Sequence, residues 1–433
     1  MGQPAIHPNP WMILPFVGLL AAIALAPLLF PLWWHRHFGK VAISLGAVTL
    51  GYYLFGLHAY ERVLHVAHEY VSFIALIGSL FVVSGGIHIT VKGEATPLEN
   101  VVFLLFGAVI ANVLGTTGAS MLLIRPWIRM NKYRITAHHI VFFIFIVSNV
   151  GGCLTPIGDP PLFLGYLKGV PFWWVAEHCW PMWALGLAML LATFFVVDRH
   201  NYLRAPRIVR EKLAEPAETW KFEGGVNVLY LIVILGAVFI NNPPFLREAI
   251  MAAAALASWK TTKRHIHDAN QFNFYPIQEV VILFIGIFAT MMPALDWLGA
   301  NAKLLGTPTP ASFYWGTGML SAMLDNAPTY LSFLQVAQAA TNLPPGSAAV
   351  GEHETMRALL QLPDFVGLLV AISIGAVFFG ACTYIGNGPN FMVKAIADQQ
   401  KVHTPTFLGY IFKFTLPCLL PMLIVVWLAF FRK

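Results

Sequence analysis

Gly152-Cys153-Leu154-Thr155-Pro156-Ile157-Gly158-Asp159-Pro160-Pro161-Leu162-Phe163 sets three prolines, two glycines and a carboxylate inside a long apolar region. The pattern returns at Gly380-Ala381-Cys382-Thr383-Tyr384-Ile385-Gly386-Asn387-Gly388-Pro389-Asn390-Phe391. Aligned, Gly152/Gly380, Thr155/Thr383, Ile157/Ile385, Gly158/Gly386, Pro161/Pro389 and Phe163/Phe391 are identical, and Asp159 meets Asn387. Apolar helices interrupted at matching points of two halves mark the binding site of a secondary transporter. The rest of the chain is read outward from this pair.

The composition agrees. The chain has 433 residues, 58% hydrophobic and only 11% charged, with a mean hydropathy of +0.69. Soluble domains carry about 25% charged residues. Many apolar runs reach the roughly 20 residues that span a bilayer. Uninterrupted runs such as Val281–Met292 and Leu419–Phe431 favour helices over a barrel, whose strands alternate. The net charge of +6 reads as basic residues retained in cytoplasmic loops and not as a nucleic-acid surface. Membrane lipid and a small ion or solute are the expected partners. Cys153, Cys179, Cys382 and Cys418 lie in or beside apolar segments and read as packing residues. No cysteine–histidine spacing suggests zinc, and no cofactor signature is present. Without a basic leader region, Trp11–Trp34 reads as a retained first helix.

In order, Trp11–Trp34 and Val41–Leu57 flank a basic loop (His35, Arg36, His37, Lys40), followed by Tyr70–Ile89 and by Val101–Ile124, interrupted at Asn112–Ser120. A second basic loop (Arg125, Arg129, Lys132, Arg134) precedes a helix from Thr136 to Gly152 that enters the Thr155–Pro161 break. Trp180–Val197 closes a first repeat, residues 1–197, and residues 198–225 form a polar, cytoplasmic linker. A second repeat, 226–433, holds Val226–Ile240, Phe245–Trp259, Pro276–Pro293, an interrupted Ala311–Ala339, the broken Val366–Gly386 and Thr406–Phe430.

Loop charge then sets the topology. With the linker and the Arg125–Arg134 loop in the cytoplasm and the N-terminus outside, three spans bring the chain to Lys92 on the cytoplasmic side. Glu99–Ile124 must start and finish on one face, as a re-entrant hairpin with its tip at Gly115-Thr116-Thr117-Gly118. The same count makes Ala311–Ala339 a hairpin entering from outside, interrupted at Leu324-Asp325-Asn326-Ala327-Pro328-Thr329, and leaves the acidic loop around Glu352 external. The expected fold is an all-α polytopic membrane protein of the cell inner membrane. It has two inverted-topology repeats, each with a re-entrant hairpin and a broken transmembrane helix.

Non-helical backbone at membrane depth survives only inside protein or facing water, and its free amides and carbonyls become ligands. Asp159 and Asp325 fall in the breaks, and intramembrane carboxylates are costly enough to be functional by default. Together they could hold Na+, and burial equips such acids to take up and release H+. Thr116, Thr117, Thr155, Gly158, Asn326, Thr329, Thr383, Gly386 and Asn387 would complete the shell. The plainer duty of either Asp is to cap a half-helix. Phe172, Trp173, Trp174, Trp180 and Trp183 read as an interfacial belt, His138 and His139 as interfacial, and Lys168 as reaching the surface beyond the first break. Glu279 and Asp296 read as solvated helix ends. His65 and His68 have no third ligand in reach along the sequence. No nucleophile–base pair or metal constellation supports an enzyme.

With its two breaks, each preceded by an interrupted segment, the chain resembles the ion transporter superfamily, which includes NhaD-type sodium/proton antiporters, arsenite permeases and citrate or dicarboxylate carriers. Ser148–Gly152 through Gly169–Phe172, Leu324–Thr329 and Thr383–Phe391 look closest to the citrate-transporter-like group often labelled sodium:proton antiporters. The resemblance implies a homodimer whose protomers have a scaffold part and a moving part, working by an elevator-like motion. The paired Ser-Asn-Thr signatures of dicarboxylate carriers are absent; Gly115-Thr116-Thr117 and Asp325-Asn326-Ala327 stand instead. The expected activity is Na+/H+ antiport, with cation-coupled citrate or dicarboxylate transport as the alternative.

Overall fold

The computed structural model describes residues 7–91, 95–204, 221–240, 242–302, 308–341 and 351–432. Among them, eight helices are long and apolar enough to cross a membrane by length and composition. The chain is an all-α polytopic membrane protein.

Helices α1 (Leu14–Leu29) and α2 (Pro31–Gly51) are separated by Phe30 alone. Pro31 has no N–H to continue α1 but suits the first turn of a new helix. The basic run His35–Lys40, expected as a loop, is therefore the opening of α2. Helix α3 is Tyr60–Gly85.

Helix α4 (Pro97–Met130) opens on a capping box, Thr96 with Glu99, and reverses at Gly115, where φ is 73°. That backbone region favours glycine. The reversal is complete, because the Ala95 N–H donates to Met130 O at 2.9 Å. Asn100 and Asn131 also exchange side-chain amide bonds of 2.8 and 3.0 Å. A straight helix of this length would hold those ends about 50 Å apart. Pro97–Met130 is thus a hairpin that enters and leaves on one side.

Helix α5 (Ala137–Ile146) is buried from His138 to its end. It unwinds at Val147, well before the Thr155–Pro161 break and short of the expected Gly152. Asn149 there donates to Ile144 O at 2.8 Å, a side-chain bond that competes with the helix ladder. After the break come α6 (Pro160–Leu167) and α7 (Trp174–Arg204). Helix α7 absorbs Asp198–Arg204, the start of the expected linker; residues 205–220 of that linker lie outside the described residues.

The second half holds α8 (Val226–Ala237), α9 (Leu246–Thr261), α10 (Arg264–Ala269) and α11 (Tyr275–Asn301). The pair α12 (Pro310–Met323) and α13 (Asn326–Ala340) is broken only at Leu324-Asp325. Phe313 on α12 meets Phe333 on α13 edge-on at 5.4 Å, so this segment also doubles back. Then follow α14 (Glu352–Leu359), where an acidic loop was expected, α15 (Pro363–Gly380), the second break, α16 (Gly388–Gln399) and α17 (Phe407–Phe430).

Small residues let α2 and α11 touch closely: a Cβ on Gly286 would stand 2.8 Å from Ala42 O. Helix α3 packs on α9. A short antiparallel ribbon pairs β1 (His88–Thr90) with β2 (Lys221–Glu223) and joins the end of α3 to the start of α8 on one face. Asn270 donates to Gly85 O and Ile87 O, so α11 starts on that face too. At the far end of α11, Gly299 lies against Gln335 of α13. The second hairpin therefore opens toward the face opposite the ribbon.

Candidate functional site

Pro160 and Pro161 occupy the first turn of α6 and have no N–H groups to be capped. The side chain of Asp159, at the N-cap position, makes no capping bond and turns elsewhere. Its carboxylate is fully buried. It accepts from Thr116 Oγ1 at 2.7 Å, from Asn326 Nδ2 at 2.6 Å and from Asn387 Nδ2 at 2.9 Å. Those donors come from the α4 tip, the α12–α13 tip and the second break. All four interruptions of the chain thus meet on one carboxylate. Asn326 Oδ1 is buried there with no hydrogen-bond partner among the described residues.

The duplicated motif supplies the frame. Thr155 Oγ1 donates to Asn112 O at 2.6 Å and accepts from Gly158 N at 3.1 Å. Thr383 Oγ1 does the same with Ala322 O at 2.6 Å and Gly386 N at 3.1 Å. Each threonine ties a break to the hairpin of its own half. The hydroxyls are spent on backbone, so Thr155→Val is expected to cost about 1–2 kcal/mol of stability, one buried bond left unmade. Thermal unfolding in detergent, parent against variant, measures this.

The other expected site residues fall as follows. Thr116, Asn326 and Asn387 reach Asp159 directly. Gly158 O accepts from Thr116 N at 2.7 Å, which locks the first hairpin tip to the first break. Gly386 packs against Gly380 O and Ser321 O. Thr117 is half-buried and lines a narrow cavity of about 20 Å³ with Leu80, Ile157 and Phe163. Thr329 Oγ1 bonds within its own helix to Asp325 O at 2.9 Å. Asp325 is half-buried, and its Oδ1 accepts from Ala327 N at 3.0 Å. It caps α13 and does not hydrogen-bond to the Asp159 cluster.

With this geometry in hand, comparison with known proteins identifies the lineage. Residues 6–431 match the family described as "Putative citrate transport". The chain belongs to this family. It is also 21% identical, over 320 residues covering 71% of each chain, to an uncharacterized transporter of Mycobacterium bovis. An uncharacterized transporter of Mycobacterium tuberculosis matches with the same identity and coverage. Family membership makes this a secondary transporter of the membrane, and the converging breaks are where its cargo or coupling ion would be sought.

Sequence reasoning missed two members of this transporter's site. Asn149 Nδ2 donates to Asn390 Oδ1 at 2.7 Å, and Asn149 Oδ1 accepts from Asn387 Nδ2 at 3.2 Å. Asn390 Nδ2 holds Gly380 O and Thr383 O, each at 2.8 Å. Their counterparts in the aligned halves are Val377 and Leu162, so comparing the repeats could not single them out. Polar side chains in otherwise apolar helices were the available signal. Trp183, read as part of an interfacial belt, instead donates to Gly151 O at 3.1 Å; Trp173 and Trp180 are exposed as a belt requires.

Two further polar clusters correct the sequence reading. His138 and His139, expected at the interface, are buried and donate to Asp198 Oδ1 at 3.3 and 3.1 Å. Arg134 and Asn100 bond the same carboxylate. This network ties the base of the α4 hairpin and the start of α5 to α7. The donor atoms of His138, His139 and Asp198 lie within 4.8 Å of one another, as metal ligands would, but the Arg134 guanidinium already neutralises the carboxylate. Lys168, expected at the surface, is buried and pairs with Glu69 Oε1 of α3 at 2.5 Å. Asp296, expected to be solvated, accepts from Arg62 at 2.9 Å and from Tyr53 at 2.7 Å.

Proposed function

We propose that the chain is a Na+/H+ antiporter of the cell inner membrane and that Asp159 is its exchanging carboxylate. The carrying observation is that Asp159 is fully buried, yet among the described residues its hydrogen-bond partners are only Thr116, Asn326 and Asn387, all neutral. A buried carboxylate without a counter-charge takes up a cation or a proton. The orphan Asn326 Oδ1 supplies a second oxygen of the kind that replaces a hydration shell. Sodium and a proton then compete for one group, which is the minimum an exchanger needs.

In this reading the two halves are inverted repeats with the N-terminus outside. The opposite-facing hairpins support that arrangement, and the resemblance to elevator-type carriers supports a homodimer with a moving transport part. Alternating access would carry Asp159 from one face to the other. A second reading is favoured by the family's citrate-transport description: Asp159 holds a coupling cation while an organic anion is carried. An anion beside a lone carboxylate is repelled at low dielectric unless a cation neutralises it.

Proteoliposomes with a pH dye inside separate the two. Sodium alone is expected to move protons, potassium is not, and citrate is expected to make no difference. Proton or sodium flux seen only when citrate or succinate is supplied would make the second reading the correct one.

A further inference from the structure

Helix α6 has eight residues, about 12 Å of length, between Asp159 at its N-cap and Lys168 at its C-cap. Whatever moves one end moves the other. Asp159 is tied to the tip of α4, to α13 and to the second break. Gly165 of α6 also lies against Tyr330 of α13, where a Cβ would meet the hydroxyl at 2.3 Å. These elements form one body. Helix α3 belongs to another: it packs on α8, α9 and α11, and α11 packs on α2.

The seam between the two bodies is loosely filled. On its α3 side, His65 and Glu69 line a cavity of about 620 Å³, and Leu76 and Leu80 line a second of about 20 Å³. The opposite wall is the end of α6 in the first and the α4 tip with the first break in the second. Protein interiors are close-packed, so a seam with voids at two levels is where one body can shift past the other.

Among the described residues, one ion pair crosses this seam: Lys168 Nζ and Glu69 Oε1 at 2.5 Å, both side chains buried. Tyr166 adds a hydrogen bond from its hydroxyl to Val238 O at 2.8 Å. The pairs Arg62–Asp296, Arg247–Glu248 and Arg134–Asp198 each stay within one body. Breaking a buried pair is costly when it strands two charges at low dielectric. Here each partner has a second place to go. His65 Nδ1 lies 3.7 Å from the same Glu69 oxygen. Leu167 and Gly169, on either side of Lys168, line the larger cavity, whose volume is ample to hydrate a released ammonium.

We propose that the Lys168–Glu69 pair is a latch, which holds the body carrying Asp159 in the position seen here and opens when that body shifts along α3. Lys168 and Glu69 are thus positioning residues. The proposal rests on the alternating-access part of the function proposed above and on neither choice of cargo.

Spin labels at Leu64→Cys on α3 and Trp180→Cys on α7, both exposed positions, report the separation of the two bodies by double electron–electron resonance. The full chain is used with Cys418→Ser; Cys153, Cys179 and Cys382 are buried. The parent is expected to show a main distance and a minor second one. Glu69→Gln with Lys168→Gln removes the pair without stranding a charge, and is expected to raise the second population relative to the first by about tenfold. Lys168→Arg keeps the charge and is expected to stay within about twofold of the parent. Should the double variant not fold, Glu69→Gln alone is expected to shift the ratio the same way by about threefold. A second population no larger than in the parent, or one raised equally by Lys168→Arg, overturns the latch. A pair that only stabilises the fold would lower the unfolding temperature and leave the ratio unchanged. One distance only, in parent and variant alike and whatever the sodium, proton or citrate concentration, would take down alternating access as well; two populations in an unmoved ratio take down the latch alone.

Discussion

Asp159→Asn is expected to reduce the sodium-driven proton movement proposed above by about a hundredfold or more. The substitution keeps the shape of the side chain but removes its charge and one of its two acceptor oxygens. It also turns an N–H₂ group toward donors, either Asn326 Nδ2 on the one oxygen or Thr116 Oγ1 and Asn387 Nδ2 on the other. Nothing remains to hold a cation or to exchange a proton. Asp325→Asn is the matched control. Asparagine caps a helix about as well as aspartate, so the bond to Ala327 N survives and activity should fall less than about twofold. The assay is dye dequenching in proteoliposomes at equal reconstituted amounts. If Asp325→Asn proves as inactive as Asp159→Asn, the ion belongs to both acids, and its assignment to Asp159 alone fails.

Gly158→Ala is expected to destabilise the fold by about 4 kcal/mol, the upper range for a single substitution. A Cβ at Gly158 would stand 2.1 Å from Gly152 O, and one at Gly152 would stand 2.7 Å from Gly158 O. The obstacle is backbone, so no side-chain rotation relieves it. In the second break a Cβ at Gly386 would lie 2.6 Å from Gly380 O, but one at Gly380 lies 3.0 Å or more from its neighbours. The expected order of damage is therefore Gly158→Ala, then Gly386→Ala, then Gly380→Ala. Thermal unfolding in detergent, followed by size-exclusion profiles, reads that order. A Gly158→Ala protein as heat-stable as the parent would show that the first break is not closed by glycine contact.

The glycine pairs explain why the motif could be read without coordinates. Each break folds back on itself within seven residues, so its requirements are local and leave identical residues at identical spacing. The hairpin at Gly115 was legible for a different reason. Loop charge fixes which side each connection occupies, and an even count of crossings forces a segment that returns. Helix ends were less legible. The start of α2 and the unwinding at Val147 depend on single residues, Pro31 and Asn149, competing with long apolar runs.

By itself, then, the sequence determined the membrane class, the two breaks, the re-entrant first hairpin and the equivalence of Asp159 and Asn387 in the duplicated motif. All of these follow from hydropathy, loop charge and short-range geometry. Only the tertiary structure distinguished the surroundings of the two acids. Asp159 and Asp325 each precede a half-helix, and in sequence either can cap. Prolines in the first turn of α6 release the Asp159 side chain to the interior, while the Ala327 N–H retains that of Asp325. The long-range partners were equally out of reach: Asn149 with Asn390, and Asp198 with His138 and His139. Such contacts join residues dozens to hundreds of positions apart, and no local pattern records which polar side chains in separate helices will face one another.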